Sequence, residues 1–204
     1  MPVKLTLREG LKPYLPEKGL EQVMQWIDGR PVHMRITRGR TSKLGDYRPP
    51  HRDHIHRISI NGDLNPYEFL LTLTHEIAHL AVWEKYGKRI RPHGLAWKNQ
   101  YASMIALLLD KDIFPKEMEP LIKKQVMNPR ATSKSDTDLT RALLDHSVDR
   151  DGYFLEDLPA GAFFRLQNGV MFQKQEKLRK WYRCIRQDNK RPYRISPVAR
   201  VIPT

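Results

Sequence analysis

Two histidines and a glutamate in the segment 71–80 (LTLTHEIAHL) have the types and spacing of a metal-dependent hydrolytic site. On an α-helix, His75 and His79 are separated by about 40°, so both imidazoles can reach one metal ion from the same face. Glu76 lies beside them. Zinc lowers the pKa of its bound water to about 7, and an adjacent carboxylate can take that water's proton and pass it to a leaving amine. The pattern therefore predicts peptide hydrolysis, with Zn²⁺ as cofactor and Glu76 as general base.

A catalytic zinc site needs a third protein ligand, and His93 is the best candidate. It follows a break that contains Gly and Pro, and it opens the segment HGLAWK (93–98), after which apolar residues continue at helical spacing. The metzincin arrangement is excluded, because Val82 and Lys85 occupy the positions that it gives to Gly and His. A glutamate ligand of the thermolysin kind is also excluded, because residues 85–116 contain no Glu.

The residues around the histidine pair predict a buried helix. Asn65 and Pro66 form a helix start signal, with Asn as the cap and Pro at the first helical position. From Phe69 to Val82 nearly every residue other than Thr, His and Glu is apolar. A structural alternative, in which both histidines are hydrogen-bonded core residues and the glutamate is there by chance, explains the same residues with no chemistry.

The segment HEIAH, followed by thirteen residues and then HGLAWK, resembles the SprT-like metalloprotease family, whose members include the Spartan proteases of DNA–protein crosslink repair. The resemblance covers residues 15–127. It implies that His75, His79 and His93 are zinc ligands and that Glu76 is the general base. The family commonly carries a four-cysteine zinc ribbon after the catalytic part. This chain has a single cysteine, Cys184, so the ribbon cannot bind zinc here.

The charge of the chain predicts an anionic partner. The net charge is +13 over 204 residues, and residues 160–204 hold eleven Lys or Arg against two acidic residues. DNA is the predicted partner beside the protein substrate. A basic surface that only keeps the domain soluble is the alternative. The predicted nucleic-acid contacts are Arg38 and Arg40 in a polar loop, and Arg179, Lys180, Arg183 and Arg186 near the C-terminus.

The N-terminal part is predicted to place a small sheet beside the histidine helix. Residues 20–27 have helical spacing, residues 31–37 alternate as a strand, and residues 56–60 read as its partner across a polar loop. His51, His54 and His56 cluster near this sheet. We predict that they are solvated or hydrogen-bonded at its edge, and a second metal site is the alternative.

The C-terminal part changes in composition. Residues 128–152 are polar at first and lack a long periodic segment, which predicts a linker or mobile segment in which residues 139–145 form one or two helical turns. Beyond them, short strands and the hairpin signal Asn168-Gly169 predict a β meander, held by Phe163, Phe172, Trp181 and Tyr193 in place of a metal. Arg200 begins a predicted last edge strand.

Together these features predict an α+β chain in three parts. Residues 1–127 form a zincin-like helical core with the HExxH helix and a small sheet, 128–152 a linker, and 153–204 a basic, ribbon-like antiparallel meander without metal. The predicted function is a zinc endopeptidase that acts on DNA-associated proteins. The alternatives are a basic nucleic-acid-binding protein with structural zinc and a DNA-independent zinc peptidase.

The sequence also gives expectations about the location of the protein and about the oxyanion stabiliser. The chain has no signal-peptide-like stretch and no apolar window of membrane-spanning length, and its single cysteine excludes an intrachain disulfide, so we expect a cytoplasmic protein with no membrane partner. Tyr86 and Tyr101 are close enough in sequence to the histidines to be oxyanion stabilisers, although either is more often a core aromatic. The sequence predicts neither a cleavage preference nor an oligomeric state.

Overall fold

The computed structural model describes residues 6–40, 42–127, 137–147 and 152–204. The chain divides into two compact units, Met1–Ser135 and Asp136–Thr204. Within the described residues it forms six α-helices and two β-sheets, which confirms the α+β class. None of the described helices is both long and apolar enough to cross a lipid bilayer.

The first unit packs helices against a three-stranded sheet. The sheet has the order β1-β3-β2, in which β3 pairs in parallel with β1 and antiparallel with β2. Strand β2 is therefore an edge strand, and it lies within the stretch expected to be loop. The elements of this unit are α1 (Leu7–Leu11), α2 (Glu17–Ile27), β1 (Val32–Thr37), β2 (Gly45–Arg48), β3 (His56–Asn61), α3 (Pro66–Tyr86), α4 (Leu95–Asp110) and α5 (Glu119–Met127).

Helix α3 is the central element of the first unit. Its start is fixed by Asn65, whose side-chain Oδ1 accepts the backbone N–H groups of Tyr67 and Glu68 at 3.0 Å each. The helix ends at Gly87, which has a φ of +68° and so takes a conformation that favours glycine. Apolar side chains are buried along most of its length, against the sheet and the neighbouring helices. Those with at most 1% exposure are Phe69, Leu70, Leu73, Ile77, Ala78 and Leu80.

The second unit is a helix followed by a six-stranded antiparallel sheet of order β4-β9-β5-β6-β7-β8. The predicted hairpin at Asn168-Gly169 joins β5 to β6, with Gly169 at a φ of +82°. The last strand was expected at the edge of the sheet, but β9 lies inside it, because it pairs with both β4 and β5. The elements are α6 (Thr137–Asp145), β4 (Tyr153–Phe154), β5 (Phe163–Arg165), β6 (Met171–Lys177), β7 (Tyr182–Arg186), β8 (Pro192–Ile195) and β9 (Arg200–Pro203).

Part of the predicted linker is helical. Of residues 128–152, those numbered 128–136 and 148–151 lie outside the described residues. Between them, α6 buries Leu139 and Leu143 within the second unit. Arg141 on the same helix bonds to Asp157 through two nitrogens, at 2.9 and 2.8 Å.

The core of the second unit differs from the expected aromatic cluster. Of the four aromatic residues predicted to hold it, Phe172 is buried, whereas Phe163, Trp181 and Tyr193 are each more than a third exposed. Strand alternation explains part of the error, because Phe163 and the buried Phe164 are neighbours on β5 and must face opposite sides. The observed core is Leu155, Leu158, Phe164, Phe172, Cys184 and Val201.

A buried lysine also ties this unit together. The Lys174 Nζ donates to the backbone carbonyls of Glu156 at 3.1 Å and Leu158 at 2.5 Å, and it lies 4.0 Å from the centroid of the Tyr182 ring. These contacts satisfy a cation that would be costly to bury alone. Strand β6 is thus tied to the segment between β4 and β5 by an ammonium group and an apolar core.

Candidate metal centre

Three imidazoles converge beside helix α3. His75 and His79 lie one turn apart on α3, and His93 is in the connection that precedes α4. The His93 backbone has a φ of +57°, which is uncommon for a residue with a side chain, and it is followed by a turn in which the Gly94 N–H donates to the Arg91 carbonyl at 3.1 Å. The Nε2 atoms of His75 and His79 are 3.2 Å apart, and the Nε2 atom of His93 lies 3.1 Å from each of them.

This arrangement fits a zinc ion. A tetrahedral centre with Zn–N bonds of about 2.0–2.1 Å places its nitrogen ligands about 3.3 Å from one another. Burial, followed by repulsion from the neighbouring histidines, lowers the pKa of His75 to about 3, and the same causes lower that of His79 to about 4. Burial also lowers the pKa of His93. The rings are therefore neutral at pH 7 and offer the lone pairs that a metal requires. Within the described residues, this is the group whose ligand atoms are close enough to share an ion.

Trp97 packs under all three histidines. Its ring centroid lies 4.5 Å from that of His75, 5.2 Å from that of His79 and 4.7 Å from that of His93. Tyr101, one turn later on α4, stacks on Trp97 at 5.1 Å with an interplanar angle of 10°. Helix α4 thus supplies an aromatic support that restricts the imidazoles to one arrangement, which pre-organises the cluster.

Glu76 is buried at the same place, with 7% of its surface exposed. Burial, followed by the negative charge of Asp46, raises the pKa of the Glu76 carboxyl to about 8, whereas the backbone N–H of Tyr47 opposes that rise by hydrogen bonding. Strand β2 therefore approaches the carboxylate directly. The closest approach is at Gly45, where an added Cβ would lie 2.6 Å from Oε1 of Glu76 and 2.8 Å from Cγ2 of Thr72.

The histidines and Glu76 line a cleft with a volume of about 510 Å³. One side is formed by β2 and the residues just before it, and the other by α3, α4 and the connection between those helices. Its apolar lining includes Leu71, Val82, Trp83, Ile90 and Pro92. An open, largely apolar cleft that contains a few converging polar groups is the usual form of a ligand site.

Gly45 and Tyr47 were missed by the sequence analysis. Both belong to the short segment GDYR, which has no hydrophobic alternation. The signal that could have found the strand is the pairing of Tyr47 with Ile58 in the neighbouring β3, which no local pattern reveals.

We predict that Gly45→Ala lowers peptide hydrolysis by about tenfold to 10²-fold while zinc content is unchanged. The new methyl group would displace the Glu76 carboxylate, and a displacement of about 1 Å can cost 10²-fold. The measurement is kcat of the zinc-loaded variant. Gly10→Ala is the matched control, because a Cβ there meets nothing within 4 Å. Unchanged hydrolysis by Gly45→Ala would mean that the position of Glu76 does not matter.

The other predicted histidines and tyrosines are placed as follows. His51 and His54 are exposed, but His56 is buried, and its Nδ1 lies 2.9 Å from the hydroxyl of Tyr47. His56 is hydrogen-bonded as expected, although it faces the helix rather than solvent. Tyr101 lines the cleft, whereas Tyr86 is 46% exposed and lies outside it.

The predicted phosphate contacts are of three kinds. Arg40 is occupied, because its guanidinium bonds to Asn61 at 2.8 Å and to Ser59 at 3.3 Å. Arg183 and Arg186 are paired with acidic side chains, at 3.2 Å and 2.6 Å respectively. Arg38, Arg179 and Lys180 are exposed. Arg179 and Lys180 lie in the connection between β6 and β7 and so belong to neither strand.

Comparison with protein-family models matches residues 19–115 to the SprT-like family. The matched segment begins within α2 and ends after α4, so it includes strand β2 and the whole histidine cluster. Neither a curated protein nor a solved structure matches the chain in such comparisons. Residues 19–115, which carry the three histidines and Glu76, are thus similar to the SprT-like family, a family of the metallopeptidase type.

Proposed function

We propose that this protein is a zinc-dependent endopeptidase. The observation that carries the proposal is the convergence of three neutral imidazoles, with Nε2 atoms 3.1–3.2 Å apart, next to a buried carboxylate in an open cleft. His75, His79 and His93 would hold the metal, leaving a fourth position open. A purely structural zinc site is closed by four protein ligands, and the described residues place three suitable ones here.

The chemistry divides between the metal and the chain. When bound, zinc lowers the pKa of water to about 7 and polarises a carbonyl group. Glu76 accepts the proton of the attacking water and returns it to the leaving amine, as its place beside His75 allows. Burial raises the pKa of the Glu76 carboxyl above its ordinary value, which makes the carboxylate a stronger base than that of an exposed glutamate. Trp97 keeps the imidazoles in place during these steps.

The cleft favours a polypeptide substrate. It is open, and its walls are apolar side chains flanked by the backbone of the edge strand β2. An extended chain can lie along such a strand and use main-chain hydrogen bonds, so the cleft can accept substrates of varied sequence. We propose that the substrates are proteins associated with DNA, for which the supporting observation is the positive charge of the chain.

The basic residues of the second unit offer a surface for DNA. In the register of the sheet, Arg183 pairs with Arg194, and both are exposed. Phe163 and Arg165 are exposed on β5, two strands from β7, and their register places them on the same face. Exposed aromatic and basic side chains on one face of a small sheet can stack on bases and neutralise phosphates.

We predict that DNA binding depends on this face. Arg183→Glu with Arg194→Glu should weaken DNA binding strongly. It should also make the plot of log affinity against log salt concentration less steep, by about 0.7–0.9 for each phosphate contact that is lost. Binding is measured by fluorescence anisotropy over a series of salt concentrations. The matched control reverses two exposed lysines of the first unit, Lys12→Glu with Lys111→Glu. Equal losses in the two double variants would assign the effect to net charge rather than to the face.

The experiment that tests the proposed function combines metal content with proteolysis. The purified full chain is analysed for bound zinc and incubated with a basic, DNA-associated protein, with and without DNA. We expect one zinc per chain and cleavage that increases when DNA is added. Cleavage that is indifferent to DNA would leave a zinc peptidase without the DNA function. Zinc binding without any cleavage, with or without DNA, would contradict the enzyme.

A further inference from the structure

His56 is a buried histidine outside the candidate ligand set, with 4% of its surface exposed. A buried imidazole destabilises a fold unless its two nitrogens find polar partners. Its Nδ1 lies 2.9 Å from the Tyr47 hydroxyl, and its Nε2 lies 3.7 Å from Oε1 of Glu84. The other carboxylate oxygen of Glu84 accepts from Nε of Arg30 at 2.8 Å. A polar chain thus runs from Arg30 through Glu84 and His56 to Tyr47.

The charge of Glu84 determines which groups donate and which accept along this series of polar contacts. The Glu84 carboxylate favours the His56 tautomer that carries its proton on Nε2, because the negative charge faces that nitrogen. Nδ1 is then an acceptor, and the Tyr47 hydroxyl donates to it. Burial lowers the pKa of His56 and raises the pKa of Tyr47, so both groups are neutral at pH 7. The Tyr47 side chain is therefore anchored at its tip.

Tyr47 reaches the candidate metal centre at two further points. Its backbone N–H stabilises the charged form of Glu76. Its ring lies parallel to that of His79, with an interplanar angle of 4° and centroids 6.2 Å apart. A residue that is fixed by its hydroxyl thus faces both the candidate base and a candidate ligand.

We propose that Tyr47 is a positioning residue and that the chain Arg30–Glu84–His56–Tyr47 holds strand β2 in the place where the Tyr47 N–H orients Glu76. The network joins the connection between α2 and β1, the last turn of α3, and strands β3 and β2. It fixes the distance between the cleft wall and the helix that carries the candidate base. This inference rests on the proposed peptidase function, since it assigns the network a task in that reaction beyond holding the fold.

The first test is Tyr47→Phe, which keeps the ring and removes the hydroxyl. In the zinc-loaded full chain, kcat should fall by about tenfold to 100-fold, the usual effect of losing a group that orients the reacting ones. KM should change by less than about twofold, and zinc content should stay at one per chain. Tyr86→Phe is the matched control, because Tyr86 is exposed and outside the cleft. Wild-type kcat in Tyr47→Phe, or a loss that follows the loss of zinc, would overturn the proposal.

The second test asks whether the hydroxyl acts through His56. His56→Leu removes the acceptor, whereas His56→Asn keeps an amide oxygen near the position of Nδ1. We expect His56→Asn to retain more of kcat than His56→Leu. The double variant with Tyr47→Phe should be no slower than His56→Leu alone, because residues that act as one unit give non-additive effects. Additive losses would overturn the network.

A third measurement does not require catalysis. Amide hydrogen exchange at residue 47, followed by NMR on the zinc-loaded full chain, reports directly on the backbone group that faces Glu76. Exchange should be about tenfold faster in Tyr47→Phe and His56→Leu than in the wild type, and unchanged in Tyr86→Phe. If the wild type cleaved no peptide and this acceleration were still found, the proposed function would fail and the network would stand. Unchanged exchange at residue 47 would overturn the network itself.

Discussion

Glu76→Gln should lower peptide hydrolysis by about 10²-fold or more and leave the zinc content unchanged. Glutamine has the shape of glutamate, so it fits the buried position beside Gly45 without new contacts. It cannot accept and return a proton, which is the task assigned to this residue, and a positioned general base contributes typically 10²–10⁴-fold. Because the candidate metal ligands are the three histidines and do not include Glu76, the metal should remain bound. The measurement is kcat/KM on a peptide substrate, together with zinc content.

Glu68→Gln is a matched control for this result. Glu68 lies in the first turn of the same helix, and it does not line the cleft. We expect hydrolysis near the wild-type rate in that variant. Two outcomes for Glu76→Gln would contradict the assignment. Retained hydrolysis would exclude a proton-transfer role and favour a binding protein, whereas loss of zinc would make Glu76 a structural part of the centre.

His93→Ala should remove most of the zinc and, with it, the hydrolysis. His93 completes the set of three nitrogens, and without it the metal keeps two ligands from one helix face. Structural zinc sites bind with about 10–16 kcal/mol, so losing one of three ligands should weaken binding by about 10²-fold or more. His93 lies outside the regular elements and is half-buried, so the metal-free fold should persist. Zinc affinity is measured by competition with a chromophoric chelator, and the fold by circular dichroism.

His51→Ala is the control for this prediction, because His51 is exposed and outside the cluster. It should leave zinc affinity unchanged. Full zinc occupancy after His93→Ala would mean that the third ligand is another residue.

The sequence was sufficient for the central helix and for the convergence of the histidines. Asn65 and Pro66 mark the start of α3, and the position of Gly87 marks its end, because caps and breakers act locally. His75 and His79 share a face by helix geometry alone. His93 could be selected because it opens the next helical segment after a break that contains Gly and Pro, and the structure places its ring nitrogen 3.1 Å from both others.

The environment of Glu76 could not be predicted, because it depends on a contact across the fold. Gly45 and Tyr47 precede Glu76 by about thirty residues, and only the pairing of β2 with β3 brings them to it. The burial of His56 has the same origin. In β3 it faces α3, where Trp83 packs edge-on against it at 5.3 Å and Glu84 lies nearby. The sequence left His56 either solvated or hydrogen-bonded, and tertiary packing decides for the buried, hydrogen-bonded state.

The core of the second unit also could not be predicted from local sequence alone. Strand alternation predicted that some aromatic residues would be buried, but the choice between Phe163 and Phe164 requires the side of the sheet that faces the core. The role of Lys174 was also hidden. A lysine on a basic strand predicts solvent exposure, and here its ammonium group is buried against two carbonyls.

One zinc ion held by the histidine cluster is expected to support peptide hydrolysis. The most direct measurement is a titration of the metal-free full chain with zinc, in which the rate of peptide cleavage is recorded at each addition. We expect cleavage to rise in proportion to added zinc and to level off at one equivalent per chain. A full cleavage rate before any zinc is added, or no cleavage at one bound equivalent, would contradict a zinc-dependent peptidase.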